Sequence, residues 1–206
     1  MELYRSFLKS SDLIRWGERL FLIPLSVGVI LRIWPQLPIH PHLFLFLLGE
    51  VLAVVLLLLQ RRGEAATDIY PIAIAFIGTG AALLVSPHGA RLISDPVSLV
   101  LIVSGSAVAL AAKAFLGRSF GLVAAHRGVK DTGIYRFVRH PMYLGYMLSH
   151  LGFVLVFFSA ANVAIYAVAW TCFWLRAKEE EKILLRDPEY QRYASKVRFR
   201  LVPGLA

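Results

Sequence analysis

"PVSLVLIVSGSAVALAAKAFL", residues 96–116, carries no charge before Lys113. It has the length and apolarity of the roughly 20-residue helix that crosses the hydrocarbon of a bilayer. Outward from it, the chain is built of similar blocks. Of its 206 residues, 58% belong to the hydrophobic set, and the mean hydropathy is +0.65, whereas an ordinary soluble domain is about 45–50% apolar. The blocks are Leu20 to Leu37, Leu43 to Leu59, Ile69 to Val85, Pro96 to Leu116, Met142 to Ser159 and Ala161 to Leu175.

These blocks predict an all-α fold, a polytopic transmembrane bundle of about six spans. The first block is the least regular: Pro24 lies inside it and Arg32 must snorkel toward headgroups, so an interfacial or re-entrant helix is the alternative there. Only "SAAN" separates the last two, which read as one short helical hairpin. Lys and Arg near span ends accumulate on the cytoplasmic side. Drawn this way, all of the 22 basic residues except Arg32 and Arg91 fall on one face. Both termini are therefore expected in the cytoplasm.

The same distribution accounts for the net charge of +9 as a topology signal and an attraction to anionic headgroups, with no nucleic-acid partner. No cleaved signal peptide is expected, because the stretch before the first apolar block mixes acids with bases and no small-residue cleavage site follows. Cys172, the single cysteine, lies inside a span and can build neither an internal disulfide nor a thiolate metal site. His40, His42, His88 and His126 show no metal-ligand spacing. The expectation is one domain over residues 1–206, with N-terminal spans over 1–112 and the cofactor-binding, catalytic half over 113–206.

Two polar stretches mark that second half. Residues 113–140, "KAFLGRSFGLVAAHRGVKDTGIYRFVRH", hold glycines at 117, 121, 128 and 133 and read as a turn-rich loop. Residues 176–206, "RAKEEEKILLRDPEYQRYASKVRFRLVPGLA", continue the sixth helix beyond the membrane. Asp187 and Pro188 then restart a helix as N-cap and N1, forming a cytoplasmic helical cap.

Within "YRFVRHPMYLGY", residues 135–146, the proline pushes its predecessor out of the helical region. His140 is then the last extended residue and Pro141 the first of the fifth span. The free N–H groups of Met142 to Leu144, with Arg139 and His140, would address an anion there, and Tyr143 adds a hydroxyl. The plainer reading is headgroup anchoring by Arg and Tyr. Glu179, Glu180 and Glu181 fall at the same depth if the hairpin closes tightly, so opposite charges would face each other. The plainer reading of that segment is an i,i+4 pair of Arg176 with Glu180. A ligand carrying both an ammonium and a carboxylate would use both charge sets.

"LGRSFG", "VKDTGIYRFVRHPMYLG", "EEKILL" and "DPEYQRYASKVRFRLVPG", in this order over residues 115 to 205, resemble the membrane methyltransferases that include isoprenylcysteine carboxyl methyltransferase and the phospholipid methyltransferases. The resemblance implies a transferase that uses S-adenosylmethionine and acts on a lipid-like acceptor at the cytoplasmic interface. It implies cofactor contacts from Val129, Gly133, Tyr135, His140, Tyr143, Glu180 and Glu181, with Glu179 offering a register one residue earlier. Catalytic roles fall to Arg139, Glu180 and Arg200, the last standing ahead of the terminal Pro-Gly. Ile134 departs from the proline that the family often places there.

Methyl transfer from a sulfonium to an anionic oxygen needs chiefly alignment and exclusion of water. Arg139 or Arg200 would orient a carboxylate acceptor, whereas an amine would need a glutamate or His140 as base. No GxGxxG follows a candidate strand, which excludes a soluble Rossmann methyltransferase. The rivals are an NADPH-dependent membrane sterol or lipid reductase, and a non-enzymatic transporter or scaffold. Elsewhere, Glu50 sits mid-span and is expected to pair with a donor from another helix or to be functional. His150 reads as a hydrogen-bonded packing residue, and Ser104 to Ala109 as a small face for close helix contact.

Overall fold

The computed structural model describes residues 2–202 and 204; the side chains of residues 2–11 and 95, and the Pro203 of the terminal Pro-Gly, lie outside the described residues. Seven α-helices follow one another among them: α1 (Glu2–Ile33), α2 (Leu43–Leu58), α3 (Ile69–Leu83), α4 (Asp95–Leu116), α5 (Pro141–Val156), α6 (Ala160–Leu184) and α7 (Pro188–Lys196). Short 3-10 turns cover Trp34–Gln36, Gly117–Ser119 and Gly133–Arg136. The all-α expectation holds, save for two antiparallel two-residue strands that join loops, β1 (Glu64–Ala65) and β2 (Ala125–His126), with Glu64 opposite His126.

Side chains on the outside of the bundle are apolar: Leu20 is 73% and Val100 65% exposed, and Leu31, Val51, Ile77 and Trp174 also face outward. Exposed apolar surface of this extent marks a face for contact with a membrane or a partner. By length and composition, Pro96–Ser119 is the one described helical stretch able to cross a membrane unaided, while α2, α3 and α5 are apolar but shorter. At 1.5 Å per residue those three reach only about 22–24 Å. The first block differs most from its expected bounds. Its helix begins at Glu2, passes through Pro24 without stopping and ends at Ile33.

The small face of α4 does what its composition suggests. A Cβ on Gly105 would lie 2.3 Å from Ser149 N, and one on Gly145 would lie 2.5 Å from Ala109 N. The α4 and α5 backbones therefore touch, with the two helices running antiparallel. The hairpin from α5 to α6 closes through Ser159, whose Oγ accepts from Asn162 N at 3.1 Å. Asn162 Nδ2 donates to Phe157 O at 2.7 Å and to Ser86 O at 2.9 Å, which fastens the turn to the loop after α3. The helix beyond the hairpin continues to Leu184, as its sequence predicts. Asp187 then caps α7 by accepting from Glu189 N at 2.8 Å, with Pro188 in the first turn.

Basic residues from distant segments gather at one end of this bundle. Arg15 donates to Gln60 O and Arg19 to Leu57 O and Leu58 O, while Arg186 pairs with Glu64. Arg32 lies at the other end, donating to the carbonyl of Leu83, the last residue of α3, and to those of Leu84 and Val85 just after it. Two bases counted as loop or tail are instead interior. Lys113 is 1% exposed and Arg176 4%, because each finds backbone carbonyls there, Gly49 O at 2.5 Å and Leu122 O at 2.6 Å. Glu18 is also fully buried, accepting from Val123 N at 2.6 Å and Gln60 Nε2 at 2.9 Å. It ties α1 to the loop that carries the candidate site.

Candidate functional site

Pro141 starts α5, and His140 immediately before it is extended, with φ −125° and ψ 62°. This places Arg139 and His140 alongside the C-terminal segment: Arg139 N donates to Phe199 O and His140 N to Arg200 O, each at 2.9 Å. From the opposite side, the last turns of α6 bring in the glutamates. His140 lies between two of them, Nδ1 3.4 Å from Glu180 Oε2 and Nε2 3.2 Å from Glu181 Oε1. The Tyr143 hydroxyl donates to Glu180 as well.

Glu181 is the hub of a cationic ring. Arg139 Nη1 stands 3.3 Å from Oε1, and Arg200 binds Oε2 through both Nε and Nη2 at 2.9 Å. Charge follows from these contacts. Burial works against ionisation of Glu181, but hydrogen bonds from His140 and Arg200 and the charge of Arg139 hold its pKa down at about 2. Burial opposes the charged form of Glu180 too, yet His140, Arg176 and Tyr143 keep its pKa below the usual carboxylate value. Burial pulls His140 down, and the two glutamates more than offset this and raise it. At neutral pH the two carboxylates are therefore ionised and face Arg139 and Arg200 as well as His140.

The register of the acidic run is fixed by packing. Glu179 pairs with Lys182 Nζ at 2.6 Å, whereas Glu180 and Glu181 face His140. Two expectations are corrected. Arg176 makes no i,i+4 ion pair with Glu180; its Nη1 donates to Thr79 Oγ1 at 3.2 Å and its Nη2 to Leu122 O, because burial directs it to the bundle interior. The N–H of Leu144 is not free, bonding His140 O at 3.4 Å. The anions that face the mouth are the chain's own carboxylates.

Two cavities meet at this cluster. The outer one lies between the 116–130 loop, the start of α5, the end of α6 and α7. Val129, Tyr135, Arg139, His140, Tyr143 and Glu180 line it. Gly133, Glu181 and Arg200 do not: Gly133 sits in a 3-10 turn against the Phe115 ring, and Glu181 and Arg200 stand behind His140. The inner cavity lies among the helices, with Glu50, Lys113 and Arg176 on its walls. Met142 and Tyr143 belong to both.

Tyr143 is the partition. Its ring is 1% exposed, stacks on Phe173 with centroids 5.3 Å apart, and has the Arg176 guanidinium 5.2 Å above its centroid.

Sequence reasoning passed over several wall residues. Arg127 is 7% exposed, lines the outer cavity, and has a buried Nε with no hydrogen-bond partner among the described residues. Tyr190 and Tyr193 cover the same cavity from α7. Their i,i+3 spacing in "PEYQRY" was the available signal, and Tyr193 is fixed by donating to Tyr135 O at 2.7 Å. For Arg127, Lys113 and Arg176 no local signal separates a buried cation from a solvated one.

Glu50 accepts from Ser26 Oγ at 3.3 Å, a donor from another helix. His150 packs on Tyr166, centroids 4.3 Å apart, and its Nδ1 faces Trp170 Nε1 at 3.4 Å, the packing role expected of it.

Residues 93–190 match the family described as phospholipid methyltransferase. The chain is also 32% identical over 107 residues to protein-S-isoprenylcysteine O-methyltransferase A of Arabidopsis thaliana, a match that takes in 48% of this chain and 54% of that protein. The chain thus spans about half the length of the curated relative it matches. The family match covers the segment in which His140, Tyr143, Glu180 and Glu181 meet. The resemblance read from "RHPMYLG" and "EEKILL" is borne out: over the matched residues this chain is similar to membrane-family methyltransferases.

Proposed function

We propose, from the family match of residues 93–190 and the charge cluster within them, that this protein is an S-adenosylmethionine-dependent methyltransferase whose acceptor is lipid-like. The acceptor class is of the isoprenylcysteine carboxylate or phospholipid amine kind. The bundle spans the membrane, with both termini and the outer cavity on the cytoplasmic side. The observation that carries this reading is the contact of Tyr143 and His140 with Glu180 at the wall between two cavities.

The residues fit the methyl donor. Glu180 offers a part-buried carboxylate to a cationic ligand, while Arg127, with its orphaned buried Nε, and Arg139 offer cationic walls to a carboxylate. The aromatic faces of Tyr135, Tyr190 and Tyr193 exclude water from the same space. Val129 contributes apolar wall, and Gly133 shapes the turn that presents Tyr135. Bound S-adenosylmethionine supplies a methyl group on a positively charged sulfur.

Every other element is positional. Glu181, clamped by Arg139 and Arg200, holds His140 in place, so Arg200 acts through Glu181 rather than on the acceptor. His140 and Tyr143 hold Glu180. Arg176 stands on the acceptor side of Tyr143, where its charge orients a carboxylate or a phosphate, and the apolar cavity keeps water from the transfer.

The test is transfer of label from methyl-labelled S-adenosylmethionine by the purified chain into a total lipid extract and into prenylcysteine analogues. Labelled lipid-soluble product, lost in Glu180→Gln, is expected. Absence of transfer to both, with the cofactor bound, would remove the assignment.

A further inference from the structure

The inner cavity has polar groups that the transfer itself does not use. Ser106, on α4, is 5% exposed and lines the cavity, and its Oγ has no hydrogen-bond partner among the described residues. A buried hydroxyl left without a partner is costly, so its position calls for a ligand. His150, on α5, is 3% exposed and lines the same cavity. Its Nδ1 faces the Trp170 N–H, which leaves Nε2 as the nitrogen that carries the proton in a neutral ring.

The two residues lie at one level. Their neighbours Gly105 and Ser149 are in backbone contact, a Cβ on Gly105 falling 2.3 Å from Ser149 N. Lys113 on α4 and Tyr143 on α5 are each seven residues away toward the site, about 10 Å along a helix.

We propose that Ser106 and His150 form a subsite for a hydrogen-bond-accepting oxygen of the acceptor, an ester-type carbonyl carried about 10 Å from the methylated group. The proposal rests on the methyltransferase reading and narrows its acceptor. Two donors at one level of the same cavity suit a carbonyl oxygen and give nothing to a plain hydrocarbon chain. The acceptor is therefore an oxygenated amphiphile of the acyl-ester kind, its headgroup beside Tyr143 and its hydrocarbon beyond Ser106.

Native mass spectrometry of the purified full chain tests this with dioleoyl phosphatidylethanolamine and its dialkyl ether counterpart, which lacks the carbonyls. One net hydrogen bond corresponds to about fivefold in retention, so the wild type should retain the ester lipid about fivefold better. Ser106→Ala should abolish that preference while leaving S-adenosylmethionine affinity unchanged and thermal stability no lower. His150→Phe, which keeps the ring stack and removes the donor, should abolish it too. Equal retention of the two lipids by the wild type, including none of either, or a preference that survives both substitutions, overturns the proposal. Lipid retention is read without turnover, so a chain that binds no S-adenosylmethionine would refute the methyltransferase reading separately.

Discussion

The Tyr143 hydroxyl donates to the Glu180 carboxylate, joining the first turn of α5 to the last turns of α6 across 37 positions of sequence. His140, one helical turn away, completes the contact from the same side. Loss of the hydroxyl in Tyr143→Phe should weaken S-adenosylmethionine binding about tenfold, since a hydrogen bond to a charged group contributes about 1.5–3 kcal/mol. Calorimetry of the purified variant checks this; unchanged affinity would separate Tyr143 from the site.

Glu181 is predicted to matter first to stability. It is buried against His140, Arg139 and Arg200, and removing one partner of a buried ionic cluster costs about 3–5 kcal/mol. Glu181→Gln should lower the thermal midpoint in detergent clearly more than Glu179→Gln, because Glu179 meets only the exposed Lys182. Similar midpoints for the two variants would contradict the hub.

The pH dependence has a definite sign. His140 is raised above its ordinary value of 6.5 in the folded protein, so its contribution is fully present below that value and is lost as pH rises through the higher folded value. Glu181 is held at about 2 and Glu180 below 4.5, so theirs are lost only in acid, as pH falls through those lowered values. Thermal stability of the wild type minus that of His140→Gln should therefore decline as pH is raised above about 6.5. A difference that grows with pH would reverse the assignment.

Close packing of α4 on α5 should tolerate no side chain at Gly145, where a Cβ would lie 2.5 Å from Ala109 N. Gly145→Val is expected to cost about 1–3 kcal/mol or more through overpacking, and Gly28→Val, where nothing lies within 4 Å, far less. Urea titration in mixed micelles reads the difference; equal midpoints would show that the helices can separate without cost.

Much of this arrangement is legible in the chain. Pro141 fixes where α5 begins, Asp187 and Pro188 fix where α7 begins, and "SAAN" forces α5 and α6 into a hairpin that carries Glu180 and Glu181 to His140. What escapes the sequence is the environment of single charges. Lys113 and Arg176 stand where flanking bases stand in any membrane helix, and only tertiary neighbours, Gly49 O for one and Leu122 O for the other, bring them inside. Glu18 is hidden for the same reason, its partners Val123 and Gln60 being remote in sequence. The start of α1 at Glu2 is hidden as well, because the charged stretch ahead of Leu20 carries no run of apolar residues.

Equilibrium dialysis of labelled S-adenosylmethionine against the purified chain, wild type beside Glu180→Gln, addresses the central claim most directly. Saturable binding to the wild type, weakened at least about tenfold in the variant by loss of one charge at the cavity wall, is the predicted result. Equal binding by the two proteins, or none by a folded wild type, would contradict it.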